Sequence, residues 1–432
     1  MTAATLSESL TYVFTGAVLA SLLVKFWLFT WQMRYVAMHR DAVPDAFAAT
    51  ITLHAHQRAA DYTLVKGRFG LIGMAFGAVV LFGWTLFGGL EALNVAVSNA
   101  VRPRFGGLVY QLGLLACFAT INGLLDLPFN LYSTFRIEQR FGFNRVTWTM
   151  YVADTLKATA IGMLIGLPIA ALTLWIMEAA GGLWWLWASG VWMAFNLLIL
   201  VLYPSVIAPL FNTFKPLADE TLNARVHALM ARCGFAVKGL FVMDGSKRSA
   251  HANAYFTGFG ASKRVVFFDT LLAKLSPGEV EAVLAHELGH FKHKHVIKRI
   301  ALMFAISVVG FAMLGWLTTQ VWYYTGLGVH PSLVGPNDAV ALLIFLLVAP
   351  AFSFFVSPLF ARLSRRHEFE ADAYACQQTS GVDLAAALLK LHEDNAATLT
   401  PDPMYVQFYY SHPPASERLA ALMHTHASVQ PI

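Results

Sequence analysis

Charge is what this 432-residue sequence has least of. Only 13% of its residues are Asp, Glu, Lys or Arg, about half of the roughly 25% usual in a soluble domain. Hydrophobic residues make up 57%, and the mean hydropathy is +0.57. That balance implies a protein that crosses a membrane several times. Cysteine is nearly absent too: Cys117, Cys233 and Cys376 fit neither a zinc ribbon nor a disulfide framework. No repeat of 20–50 residues, of the kind solenoids show, is visible. Met1 to Leu10 lacks the basic stretch that opens a cleaved signal peptide, so the first apolar run is expected to stay as a membrane span. The formal net charge of +5 is read as orienting the chain rather than as binding nucleic acid.

Long apolar runs are what the sequence does have. Seven can cross a bilayer, which takes about 20 helical residues. They lie near 10–32, 69–91, 107–133, 155–177, 183–205, 300–324 and 338–360. The second carries Gly70, Gly73, Gly77, Gly83, Gly88 and Gly89, which let helices approach closely. Lys and Arg then set the orientation. Five follow the first run, four follow the third, thirteen lie in 206–299 and five in the tail from 361. The opposite side has only Arg102 and Arg104. The positive-inside rule puts the N-terminus outside and the C-terminus in the cytoplasm, as an odd number of spans requires. Asp126, at the end of the third run, suits either a cavity face or the water interface.

One short stretch carries the chemistry. His286-Glu287-Leu288-Gly289-His290 reads H-E-x-x-H, and Val280, Val283, Leu284 and Leu288 recur around it at helical spacing. Ser276 with Glu279, and Pro277 between them, mark the start of that helix. Two imidazoles four residues apart project side by side and can share one zinc ion. Glu287, one residue round, is placed as the base that takes a proton from bound water. Zinc needs a third protein ligand. The metzincin spacing fails, because His293 and Val296 stand where Gly and His are required. His293 shares a face with His286 but lies about 10 Å further along, at about 1.5 Å per residue. A distant carboxylate remains. Glu368 and Asp372 are four apart in Arg365–Ala375 and share a helical face, while Glu370 points to the other side. Glu368 is assigned to the metal, and Asp372 to holding a ligating imidazole by its other nitrogen.

At these residues the chain resembles the Ste24-type integral-membrane zinc metalloproteases, the type I CAAX prenyl proteases of peptidase family M48. The resemblance runs through Leu127–Phe135, Ala208–Asn212, Asn253–Phe259, Phe268–Leu272, the His286–His290 motif, Glu368–Ala373 and Ser411–Pro414. It implies seven transmembrane helices around an internal chamber, a mainly helical zincin-like domain with a small β-hairpin, and zinc near the cytoplasmic side. It also implies that His412 and Arg418 lie in the cleft, with His412 chemically suited to face a developing oxyanion.

The remaining readings concern organisation. Glu220–Arg232 reads as an amphipathic helix. Ala250–Phe259 and Arg264–Asp269, with Gly260–Lys263 between them, read as a hairpin. Its edge, at Asn253, Ala254 and Tyr255, is expected to bind an extended peptide. Leu363–Gln378 and Leu384–Asp394 read as helices. Four segments result: a five-span membrane domain at 1–205, a cytoplasmic catalytic segment at 206–299, two spans at 300–360, and a second catalytic segment at 361–432. The function expected is a zinc metalloendopeptidase with one Zn²⁺ per chain, Glu287 and His412 as its catalytic groups, and Arg418 among the substrate contacts. Its partners are the bilayer and a peptide or protein substrate, lipidated or membrane-associated, and not nucleic acid. Its membrane is the inner membrane in a bacterium or the ER in a eukaryote. Other readings are a quality-control protease of the same family, a channel or transporter with structural zinc, and an inactive scaffold.

Overall fold

The computed structural model describes residues 2–257 and 262–427. The expected turn residues Gly260 and Ala261, and the end Ser428–Ile432, lie outside the described residues.

Five long helices come first: α1 (Ala3–Met38), α2 (Leu53–Trp84), α3 (Gly89–Tyr132), α4 (Trp148–Ala179) and α5 (Trp184–Leu202). Strand β1 (Phe214–Pro216), helix α6 (Glu220–Arg232) and strands β2 (Ala236–Met243), β3 (Ala254–Thr257) and β4 (Ser262–Phe268) follow. Then come α7 (Asp269–Leu272), α8 (Pro277–Lys292), α9 (His295–Leu317), α10 (Val321–Thr325) and α11 (Asp338–Ser353). The chain closes with α12 (Ser357–Gln378), α13 (Gly381–Asp394), α14 (Pro403–Tyr409) and α15 (Ala415–Ala427).

Among the described residues, seven helical stretches are long and apolar enough to span a membrane. Each overlaps one of the seven runs read from the sequence, but the second and sixth end earlier than read, at Trp84 rather than 91 and at Leu317 rather than 324. The helix that contains the third run starts earlier, at Gly89, and is broken just before residue 107. Gly106 has φ 82° and ψ −178°, outside helical space, so α3 is two helical pieces joined at a break. A residue with a Cβ would adopt that φ only under strain. The membrane helices share a core built from Phe14, Leu90, Leu114, Leu174, Leu327 and Ile344.

The soluble part is mainly helical around one sheet. The expected hairpin is present, with β3 antiparallel to β4 from Ala254↔Phe267 to Thr257↔Arg264. The sheet is larger than that hairpin. Its strand order is β1-β2-β4-β3, with β2 parallel to β4, so β3 is an edge. Val265 and Phe267 of β4 point to one face and pack with Leu284 and Leu288 of α8. Alternation along the strand thus seats the motif helix on the sheet.

A charged fork joins the two parts. Arg248 donates from Nε and Nη2 to Asp154 of α4 at 2.9 and 3.1 Å, and from Nη1 to Asn212 Oδ1 at 3.0 Å. Asn212, one of the residues carrying the family resemblance, is therefore part of this junction.

Candidate metal centre

Helix α8 starts where the sequence placed it. Glu279 N–H donates to the Ser276 hydroxyl at 3.4 Å, and Ser276 N–H donates to Glu279 Oε2 at 2.7 Å. Pro277 opens the helix, where its missing N–H costs nothing. The cap fixes the phase of the helix, so His286 and His290 leave the same side, with their Nε2 atoms 3.3 Å apart.

Helix α12 crosses α8 at Gly289. A Cβ there would stand 3.0 Å from Ala371 Cα and 3.1 Å from its carbonyl oxygen. The missing side chain lets the helices close until Glu368 reaches the histidines. Glu368 Oε2 lies 3.4 Å from His286 Nε2, and Oε1 lies 3.4 Å from His290 Nε2. One donor atom from each of the three lies within 4.8 Å of the others. Two nitrogens each about 2.0–2.1 Å from one ion at a tetrahedral angle stand about 3.3 Å apart, which matches the observed spacing.

The chemistry of the donors agrees. Glu368 is 4% exposed, and its Oε2 has no hydrogen-bond partner among the described residues. The Nη1 of Arg418 is the cation beside that oxygen, at 3.8 Å, beyond hydrogen-bond reach. A buried carboxylate oxygen left so is costly unless a cation meets it. Burial opposes charge on the His286 ring, but its contacts with Asp372 and Glu368 prevail and raise its pKa to about 9. The donor set, two imidazoles and a buried carboxylate, fits a metal ion.

Both imidazoles are held from behind. His286 Nδ1 lies 2.8 Å from Asp372 Oδ1. Arg418 donates to both oxygens of Asp372, at 2.6 and 2.8 Å. Arg418 is 7% exposed and fully engaged there. The sequence reading made it a substrate contact; in the structure its Nε and Nη2 bind Asp372 and its Nη1 lies 3.8 Å from Glu368 Oε2. His290 Nδ1 lies 3.0 Å from His295 Nδ1, and His295 Nε2 lies 2.9 Å from Glu370 Oε2. Glu370 does face away from the three donor atoms, but it contacts His295. Gly289 and His295 were missed by sequence reasoning, since their roles arise only once α8, α9 and α12 are packed.

Glu287 is half-buried, and its carboxylate makes no hydrogen bond or ion pair among the described residues. His412 brings Nε2 to 3.5 Å from Glu368 Oε1, while Ser411 Oγ holds its Nδ1 at 3.0 Å. Phe268 N–H donates to the Asn253 carbonyl, so Asn253 faces β4. Alternation then turns the main-chain groups of Ala254 to the open edge. Among the described residues its N–H meets the neighbouring Asn253 Oδ1, at 2.8 Å.

Comparison with known proteins was made on this framework. A family profile described as the CAAX prenyl protease N-terminal domain, five membrane helices, matches residues 32–213, and one described as peptidase family M48 matches residues 216–426. The chain is 34% identical to CAAX prenyl protease 1 homolog of Arabidopsis thaliana over 397 residues, covering 89% of this chain and 91% of that one. It is 31% identical to CAAX prenyl protease 1 of Saccharomyces cerevisiae over 414 residues, covering 90% of each. The crystal structure of S. mikatae Ste24p superposes with a TM-score of 0.89 at 27% identity, covering 96% of this chain and 99% of that one.

Proposed function

The chain belongs to peptidase family M48, in its Ste24-type membrane branch, and on that premise we propose how its own residues carry out peptide hydrolysis. It is a multi-pass membrane metalloendopeptidase acting on a peptide or protein substrate. The channel reading finds no support. We assign the metal as zinc, one per chain, held by His286, His290 and Glu368. Bound there, zinc supplies a Lewis acid for the scissile carbonyl and lowers the pKa of an attacking water.

The protein's own groups do the rest. Asp372, clamped by Arg418, accepts a hydrogen bond from Nδ1–H of His286, which keeps the proton on Nδ1 and leaves Nε2 free to ligate. Ala254, between Asn253 and Tyr255, pairs with an extended substrate and sets its register against His286. The Glu287 carboxylate takes the proton of the attacking water and delivers it to the leaving amide nitrogen. His412 donates from Nε2 towards the carbonyl oxygen as charge develops there.

For the substrate class we propose prenylated proteins with a CAAX-type C-terminus, a reading supported by the relatives' names, CAAX prenyl protease 1. The four segments bounded at 205, 299 and 360, an internal chamber between the spans, and a cytoplasmic site facing it complete the reading. The host decides between inner membrane and ER. The excess of Lys and Arg is accounted for by this orientation, and nucleic acid has no part.

The observation that carries the proposal is the meeting of two α8 imidazoles with a buried carboxylate of α12, whose Oε2 has no hydrogen-bond partner among the described residues, beside Glu287. Glu287→Gln tests it. That variant should keep about one zinc per chain and lose cleavage of a prenylated CAAX peptide by roughly 10²-fold or more. Cleavage near the wild-type rate would remove Glu287 from its role.

A further inference from the structure

The two ligating histidines are supported by different devices. His286 meets a carboxylate directly, through Asp372. His290 meets another imidazole, His295, which in turn meets Glu370. Glu370 Oε1 also accepts from Arg366 Nε at 3.0 Å.

The backbone is bent to make this contact. Residues five apart on a continuous helix point about 140° away from each other, so His295 could not face His290 if α8 ran on. It faces His290 because Lys294 takes φ 59° and ψ 28°, ending α8 and starting α9 one residue later. Lys294 and Ala396 are the non-glycine residues with positive φ among those described. A lysine held in that region is strained, and such strain gathers where a particular placement is needed. The ring of His295 is also fixed by stacking. It lies 3.9 Å from His367 with 10° between planes, and 5.5 Å from His293 with 16°. It is 4% exposed.

We propose that His295 and Glu370 are positioning residues for the metal ligand His290, forming an imidazole–carboxylate relay that fixes its tautomer and ring plane. The proposal rests on the metal reading above. With Nε2 of His290 turned to the metal, its proton sits on Nδ1. His295 accepts that proton's hydrogen bond at its own Nδ1 and donates from Nε2 to Glu370. The relay carries the polarising effect of a carboxylate to His290 across one ring. Glu370 thus has a role although it never approaches the metal.

The test uses the full chain in detergent, with zinc affinity and the rate of zinc release to a chelator as readouts. His295→Phe keeps the stacked ring and loses both nitrogens. Its zinc affinity should fall by about 10–100-fold, the usual effect of removing a ligand's outer partner, and release should quicken. His295→Asn keeps an acceptor near the Nδ1 position and should recover most of that loss, a rescue that ring packing alone would not produce. Glu370→Ala, on the half-exposed flank, should weaken zinc in the same direction and decides the matter if His295→Phe does not fold. Wild-type affinity and release in Glu370→Ala and in folded His295→Phe would overturn the relay. Full zinc retention in His290→Ala would instead remove the metal reading, and the relay with it.

Discussion

At the scale of single residues, the size of Gly289 decides whether the metal centre can form. A new Cβ would meet the Ala371 Cα and carbonyl oxygen and the Tyr374 Cβ, atoms fixed to the α12 backbone that cannot swing aside as the end of a side chain could. Alanine is the better helix former by about 0.5–1 kcal/mol, but overpacking a tight contact costs about 1–3 kcal/mol. Gly289→Ala should therefore lower the melting temperature of the metal-free protein, and it should weaken zinc because α12 retreats with Glu368 and Asp372. Unchanged melting and unchanged zinc affinity would show that the crossing has slack. This scale also divides what the sequence reveals from what it hides. His286, Glu287 and His290 are legible because their relation lies within one helical turn. Glu368 and Asp372 are legible as an i, i+4 pair. Gly289 and His295 are not, because one serves a contact between distant helices and the other depends on a left-handed lysine.

At the scale of elements, both ligand helices are extensions of membrane spans. α8 passes through Lys294 into α9, and α11 passes through one short turn, Phe354–Val356, into α12. Glu368 lies twelve residues beyond that turn, about 18 Å along the helix. The site is therefore fixed to the membrane part by continuous backbone as well as by side chains. Apolar length made the spans legible, and turn residues with Val- and Phe-rich stretches made the β3–β4 pair legible. β2 escaped because Lys238 and Gly239 interrupt its pattern and its register to β4 shifts between Val237 and Gly239. β1, three residues long, carries too little pattern to see. The β3 edge gives a prediction of its own. Ala254→Pro removes the N–H facing the open edge without touching a metal ligand. Cleavage should fall sharply while zinc content stays normal, and Ala254→Gly, which keeps the N–H, should be far milder. Full activity in the proline variant would move the peptide path elsewhere.

At the scale of the whole molecule, the claim is that a membrane body holds a soluble metal centre on its cytoplasmic side. The proposed orientation rests on the short loops, where Arg34, Arg40, Arg136, Arg140 and Arg145 outnumber Arg102 and Arg104 between the alternate spans. Single cysteines at Asn99, Gly181 and Pro336, in a chain lacking its three native cysteines, should react with an impermeant label in intact cells. Cysteines at Ala46 and Asn144 should react only after permeabilisation. External labelling at Asn144 would invert the orientation and move the centre, joined to that loop through the Arg145 N–H to the Arg248 carbonyl and the Asn144–Ser249 bridge, to the other face. The central claim itself is tested most directly by zinc-edge X-ray absorption on the purified full chain. The account predicts one zinc per chain with two imidazole nitrogens at about 2.0–2.1 Å, carboxylate oxygen at about 2.0–2.2 Å, and a water completing the set; a site without bound metal, or one closed by a fourth protein ligand, would contradict it.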